Sequence, residues 1–231
     1  MLDDLRRDLR AAAEPDRVPE LERYFQAFPG GYGEGDKFLG VRVPAARAVA
    51  RRHAALPLDA TADLLHSPVH EERLVALFIL ARRADRGDED ERRAVLELYL
   101  ANTAHINNWD LVDASAPAVV GGWILDHDEE LLDTLAGSDD LWERRIAIIA
   151  TLRLIRAGEL DATFRLTERL LADRHDLIHK ACGWMLREAG KRDEPPLVAF
   201  VERHLAEMPR TMLRYAIERL PAEERSRLVA L

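Results

Sequence analysis

Residues 109–115 read Trp109-Asp110-Leu111-Val112-Asp113-Ala114-Ser115. Counting Trp109 as position zero, the places two, three and six further on hold Leu111, Val112 and Ser115. At about 100° per residue these offsets lie on one face of a helix. The same order returns in Arg73-Leu-Val-Ala-Leu-Phe-Ile79, Arg144-Arg-Ile-Ala-Ile-Ile-Ala150, His179-Lys-Ala-Cys-Gly-Trp-Met185 and Arg214-Tyr-Ala-Ile-Glu-Arg-Leu220. The leading residues Arg73, Trp109, Arg144, His179 and Arg214 stand 36, 35, 35 and 35 residues apart. All the residues at offsets two, three and six are apolar except Ser115. A period of that length with a helical apolar face predicts a repeat solenoid, in which equivalent residues of stacked units line one surface.

The apolar face is expected to be buried. The opposite arc, offsets zero, one, four, five and eight, spans about 140° of the helical wheel and is expected to be exposed. It carries Trp109, Arg145, Asp113, Trp184 and Arg187. If the units superpose, two indoles, a carboxylate and a row of cations share a groove. The plainer alternative for each residue is a helix-surface or rim side chain, with Asp113 and Arg145 joined in a structural salt bridge and Trp184 packed in the core.

Composition agrees with helices. Hydrophobic residues make up 48% of 231 and aromatics only 6%, a balance that suits packed helices better than sheets. The expected class is all-α, with residues 1–231 forming a single domain. A single cysteine, Cys182, excludes an internal disulfide and cysteine-paired zinc, and its offset predicts burial. The histidines, among them His53, His66, His70, His105 and His175, lack metal-ligand spacing, and no nucleophile triad is apparent. No metal or cofactor is expected. No apolar run is long enough to span a bilayer and the N-terminus has no signal core, so a soluble, cytoplasmic protein is expected.

The net charge of −9 argues against indiscriminate adhesion to nucleic acid. Distribution matters more than the sum. Acidic residues gather between Asp85 and Glu97 and between Asp126 and Asp140, whereas Arg42, Arg47, Arg51, Arg144, Arg145, Lys180, Arg187 and Arg214 lie elsewhere. All but Lys37, Lys180 and Lys191 of the 33 basic residues are arginine, the side chain suited to bidentate phosphate contacts.

Turn and cap signals divide the chain into helices near 3–13, 18–28, 44–55, 58–65, 69–84, 88–102, 108–115, 117–126, 128–136, 140–157, 160–172, 176–190, 195–206 and 209–220. Between the second and third lies a glycine-rich stretch, Gly30-Gly-Tyr-Gly-Glu-Gly-Asp-Lys-Phe-Leu-Gly40. Such a loop ahead of a helix can offer backbone N–H groups to an anion, but the Gly-Lys-Ser/Thr ending and the preceding strand of nucleotide-binding loops are missing. Asn108, with Asn107 before it, reads as the cap of the helix that starts at Trp109.

Three segments resemble a known family. Asn108-Trp-Asp-Leu-Val-Asp113, Leu141-Trp-Glu-Arg-Arg-Ile-Ala147 and Ile178-His-Lys-Ala-Cys-Gly-Trp-Met-Leu-Arg-Glu188 are similar to the signature segments of AlkD-type DNA alkylation-repair proteins, and Gly31 to Pro44 resembles the N-terminal segment of a large branch of that family. The resemblance implies a right-handed α-solenoid of HEAT-like repeats with a curved, concave DNA-binding groove. It implies excision of N3- or N7-alkylated purines, such as 7-methylguanine, from duplex DNA without extrusion of the base into a deep pocket. Trp109, Trp184 and Asp113 match the residues that contact the deoxyribose of the lesion, and Arg145 matches an arginine supporting catalysis. Arg144, Lys180, Arg187, Arg214, Lys37 and Arg42 are assigned to DNA binding, in a monomer associated with the nucleoid. The sequence departs from the best-known catalytic branch at Asn108, where that branch carries an aromatic residue. Two further readings remain: a non-catalytic protein that binds damaged or branched DNA, and a protein-interaction scaffold.

Overall fold

The structure, a computed structural model, describes residues 1–230. Among these the regular structure is helical, and a single isolated bridge between Lys37 and Val69 is the only β-pairing. Internal contacts divide the chain into two units, Met1–Val119 and Val120 onward.

The first unit contains α1 (Leu2–Ala11), α2 (Val18–Tyr24), α3 (Val43–Arg52), α4 (Leu58–Leu65), α5 (His70–Arg86), α6 (Glu89–Leu100) and the beginning of α7 (Trp109–Ile124), with short 3-10 turns at Pro15–Arg17 and Thr103–His105. α5 is its centre, packed against α3, α4 and α6. The second unit holds the end of α7, then α8 (Glu130–Ala136), α9 (Leu141–Ala157), α10 (Asp161–Arg169), α11 (Asp176–Gly190), α12 (Glu194–His204), α13 (Arg210–Ala216) and α14 (Ala222–Ala230). Here α9 packs on α8, α10 and α11, and α11 packs in turn on α12 and α13. No described helix is long and apolar enough to cross a membrane.

Every residue at offsets two, three and six of the five sequence units is buried, from Val75, Ala76 and Ile79 to Ala216, Ile217 and Leu220. Ser115, the polar member of the set, is accommodated by hydrogen bonds. Its hydroxyl donates to the Leu111 carbonyl at 2.6 Å, and the buried Tyr99 hydroxyl donates to Ser115 Oγ at 3.0 Å.

The opposite arc departs from expectation on the central helices. Arg73, Leu74 and Leu77 on α5, and Arg145, Ile148, Ile149 and Leu152 on α9, are buried. A helix with neighbours on several sides has no solvent face along much of its length, so its apolar residues surround the axis. The helix expected to break between 115 and 117 is also continuous. α7 runs through Pro117, which has no N–H to offer the carbonyl of Asp113. An interior proline costs about 3 kcal/mol. The fully buried Leu111, Val112, Ala116 and Val120 on the same helix offset that cost. α14 was not anticipated from the sequence, and the helix expected over 18–28 stops at Tyr24, leaving the buried Phe25 in a turn.

Helix ends follow ordinary capping rules. The Asp140 carboxylate accepts from the N–H groups of Trp142 and Glu143 at the start of α9, and Asp88 accepts from Glu91 at the start of α6. At α11, His175 Nδ1 accepts from the Leu177 N–H, which needs a neutral ring; burial lowers the pKa of this histidine in the same direction. The approach of α11 to α13 depends on Gly183, where an added Cβ would lie 2.5 Å from the Met212 carbonyl oxygen and 2.6 Å from Tyr215 Cβ. Gly183→Ala is therefore expected to lower stability by about 1–3 kcal/mol despite the better helix propensity of alanine. A thermal melt no lower than wild type would show that the two helices separate without cost.

Candidate active site

Trp109 is the first residue of α7, and Asp113 lies one turn later on the same face. The helix starts here because Asn108 ends the preceding turn. Its carbonyl accepts from the Val112 N–H at 3.1 Å, and its side-chain oxygen accepts from the Trp109 N–H at 2.9 Å. Asn108 thus has the capping position expected of it, and it is fully buried, with Nδ2 3.5 Å from the Phe25 carbonyl.

The half-buried indole of Trp109 is fixed by aromatic neighbours from the end of α2 and the turn after it. Phe25 stacks on it at 5.4 Å and Tyr24 meets it edge-on at 5.5 Å. Tyr24 is itself 61% exposed, so an aromatic edge stands in solvent beside the indole. Asp113 is half-buried, and its charge helps to keep the buried Tyr99 phenol protonated, after burial itself.

The glycine-rich stretch folds onto the N-terminus of α5 rather than forming an open anion cradle. The backbone N–H groups of Leu39, Gly40 and Val41 all donate to the Glu71 carboxylate, at 3.0, 2.8 and 3.1 Å. Gly40 has φ of +84°, and a Cβ there would meet the Glu14 carbonyl at 2.0 Å. The anion these N–H groups hold is the protein's own side chain.

Beside it lies a cluster the sequence reading did not pick out. His70, at the start of α5, faces Asp36 through Nδ1 at 2.9 Å and Asp110 through Nε2 at 2.8 Å. Arg73 pairs with Asp36 at 2.5 Å and donates to Asn107 Oδ1 at 2.7 Å. These residues come from positions 34 to 40 apart with no periodic pattern. The available signal was the chemistry of Asp36 in a glycine-rich loop and of Asp110 in the first turn of α7, and it does not specify partners.

In the second unit, Arg145 is 4% exposed and donates through Nη1 to the Leu177 carbonyl at 2.6 Å. This corrects the expectation that it stands on an exposed arc: α9 is enclosed there, and its guanidinium satisfies a carbonyl in the first turn of α11. Trp184 is half-buried on α11, its indole N–H donating to Glu188 at 3.2 Å.

Most of the cations assigned to DNA already hold carboxylates. Arg144 pairs with Asp173 at 2.6 Å, Lys180 with Asp176 at 2.7 Å, Arg187 with Glu218, and Arg42 with Glu14 at 2.8 Å. Arg214 and Lys37 are exposed, and Lys37 is tied through its backbone to Pro68 and His70.

A different set is uncommitted. Arg47 and Arg51 on α3, with Arg82 and Arg86 on α5, line one open depression of about 270 Å³ together with Phe78 and Asp85. Arg47 lies over the Phe78 ring at 5.0 Å. Among the described residues, no ion pair engages any of the four. Both pairs, 47 with 82 and 51 with 86, are separated by the 35 residues of the repeat.

The model of a family described as DNA alkylation repair enzyme matches residues 5–220, almost the whole chain. The chain belongs to the DNA alkylation repair enzyme family. Among solved structures, a predicted DNA alkylation repair enzyme from Enterococcus faecalis is similar in fold, with a TM-score of 0.69 at 18% identity, over 91% of this chain and 97% of that one. No curated protein matches. Membership of the DNA alkylation repair enzyme family supports an enzyme with a role in repair of alkylated DNA, and the all-helical architecture agrees with that of the E. faecalis protein.

Proposed function

We propose that this protein is a monofunctional alkylpurine DNA glycosylase that removes N3- or N7-alkylated purines from duplex DNA. The observation that carries the reading is the pairing, on the first turns of α7, of an indole held by Phe25 and Tyr24 with the Asp113 carboxylate one turn away. An N7-alkylguanine is already cationic and leaves without further protonation. When the C1′–N9 bond breaks, its electron pair departs with the base and positive charge develops on the sugar. A carboxylate and an electron-rich aromatic face stabilise that charge. Water then adds to C1′, with Asp113 positioned to orient it and take its proton, and the products are the free base and an abasic site. No lysine nucleophile is involved.

Trp184 keeps its proposed role on the sugar. Arg145, being buried, acts as a positioning residue through the start of α11. The HEAT-like solenoid and its concave groove, acting as a monomer in the cytoplasm, complete the proposal. For the phosphates, Arg47, Arg51, Arg82 and Arg86 join the cations assigned from the sequence, since using them breaks no internal ion pair.

The test is release of free base from duplex DNA containing 7-methylguanine, with binding recorded in parallel. Release is expected. Binding without release would favour the damage-recognition reading, to which the buried Asn108 lends weight, and absence of both would leave the scaffold. In the same assay Arg47→Gln/Arg82→Gln is expected to weaken duplex binding and to flatten the salt dependence, by about 0.9 in log–log slope for each phosphate that is no longer neutralised. An unchanged slope would remove these arginines from the interface.

A further inference from the structure

His70 is 1% exposed, and its ring packs against those of Phe25 and Phe38, with centroids 4.9 Å from each, while the two phenyl rings stack on one another at 5.6 Å. Both ring nitrogens face carboxylate oxygens, Asp36 on one side and Asp110 on the other. Ionised carboxylates only accept hydrogen bonds, so both nitrogens must donate, and only the imidazolium carries two N–H groups. With Arg73 on Asp36, the cluster holds two cations and two anions, and charge is balanced only while His70 is protonated. The neighbouring carboxylates do not disturb this balance: Glu71 is held by backbone N–H groups and Glu72 by Arg6 at 3.1 Å. Burial opposes charge on the ring, but Asp110 and Asp36 outweigh it and raise the pKa to about 9.

The cluster terminates on α7. Asp110 is the second residue of that helix, Asn107 just precedes it, and the Phe25 ring that stacks on His70 also stacks on Trp109. We infer that His70 is a positioning residue, which as the imidazolium clamps the first turn of α7 through Asp110 and backs Trp109 through Phe25, holding Trp109 and Asp113 in their reactive placement. The placement of Trp109 follows from the geometry alone; its consequence for base release rests on the glycosylase reading. One consequence is independent of DNA. A group whose pKa rises from 6.5 to about 9 on folding contributes stability that is complete below 6.5 and is lost as pH rises through about 9, so the melting temperature declines over that window.

The experiment uses full-length protein labelled with 5-fluorotryptophan, carrying Tyr24→Phe so that phenol ionisation does not intrude. In ¹⁹F NMR the Trp109 resonance, identified by its loss in Trp109→Phe, is expected to shift between pH 7 and 10 with a midpoint near 9. In His70→Gln it is displaced already at pH 7 and does not titrate. In the base-release assay at pH 7, His70→Gln is expected to lower kcat by about tenfold or more with KM near wild type, as misplacement of reacting groups does. His70→Gln/Asp110→Asn, in which charge is balanced again, recovers most of the rate. A Trp109 resonance that shows no step in the otherwise unaltered cluster and is unmoved by His70→Gln overturns the inference. A protein that shows the step but releases no base retains the clamp and loses the glycosylase reading instead.

Discussion

Asp113→Asn is expected to abolish release of 7-methylguanine, lowering the single-turnover rate by roughly 10²- to 10³-fold, the loss typical when one electrostatic stabiliser of a developing charge is removed. The substitution keeps the shape of the side chain and removes only its charge, which is what an oxocarbenium-like sugar needs opposite it. Duplex affinity should remain near wild type, because a carboxylate contributes nothing favourable to holding phosphate. Asp113 sits on a helix whose start is capped by Asn108 and whose first turn carries Asp110 in the His70 cluster, so the start of α7 is held by contacts of residues other than Asp113. Comparison of the rates for the two proteins on one substrate tests this. An unchanged rate would remove Asp113 from the chemistry.

The second large effect concerns stability. Glu71 is 3% exposed, and its carboxylate takes the N–H groups of Leu39, Gly40 and Val41, fixing the glycine-rich loop on the start of α5. Glu71→Ala leaves those donors without an acceptor in a site that water does not reach, at a cost of about 1–3 kcal/mol for each buried group. Some relaxation is inevitable, so a loss of about 3–5 kcal/mol is expected, in line with breaking a buried charged interaction from one side. Glu71→Gln keeps an acceptor oxygen and should fall between alanine and wild type. Urea unfolding measures both. If Glu71→Ala unfolds at the wild-type midpoint, the loop is held by something other than this carboxylate. Because Asp36 belongs to the same loop, the variant should also loosen His70 and broaden the Trp109 resonance.

How far the candidate site could be read beforehand differs from residue to residue. Trp109 and Asp113 share a helical turn, and their adjacency follows from their spacing. The capping role of Asn108 was legible for the same reason. The burial of Arg145 was not, because its offset is also occupied by half-exposed Asp110 and Lys180 in other units, and only the packing of α9 separates the cases. The commitment of Arg144, Lys180, Arg187 and Arg42 to internal carboxylates was equally invisible except where the partner is four residues away, as Asp176 is from Lys180. Arg82 and Arg86 gained interest only when α3 and α5 brought them beside Arg47 and Arg51.

By itself, then, the amino-acid order determined most of the helices, their period and the apolar face that each repeat helix buries, because apolar periodicity and helix caps act over a few residues and recur about every 35. It did not determine that Pro117 remains inside α7, that Glu71 fills the glycine-rich loop, or that His70 stands between Asp36 and Asp110. Those are decisions of the tertiary structure. A buried charge is tolerated only where opposite charge or hydrogen-bond donors arrive from another element, and a proline only where the surrounding core outweighs its lost bond. Neither condition leaves a local pattern in the chain.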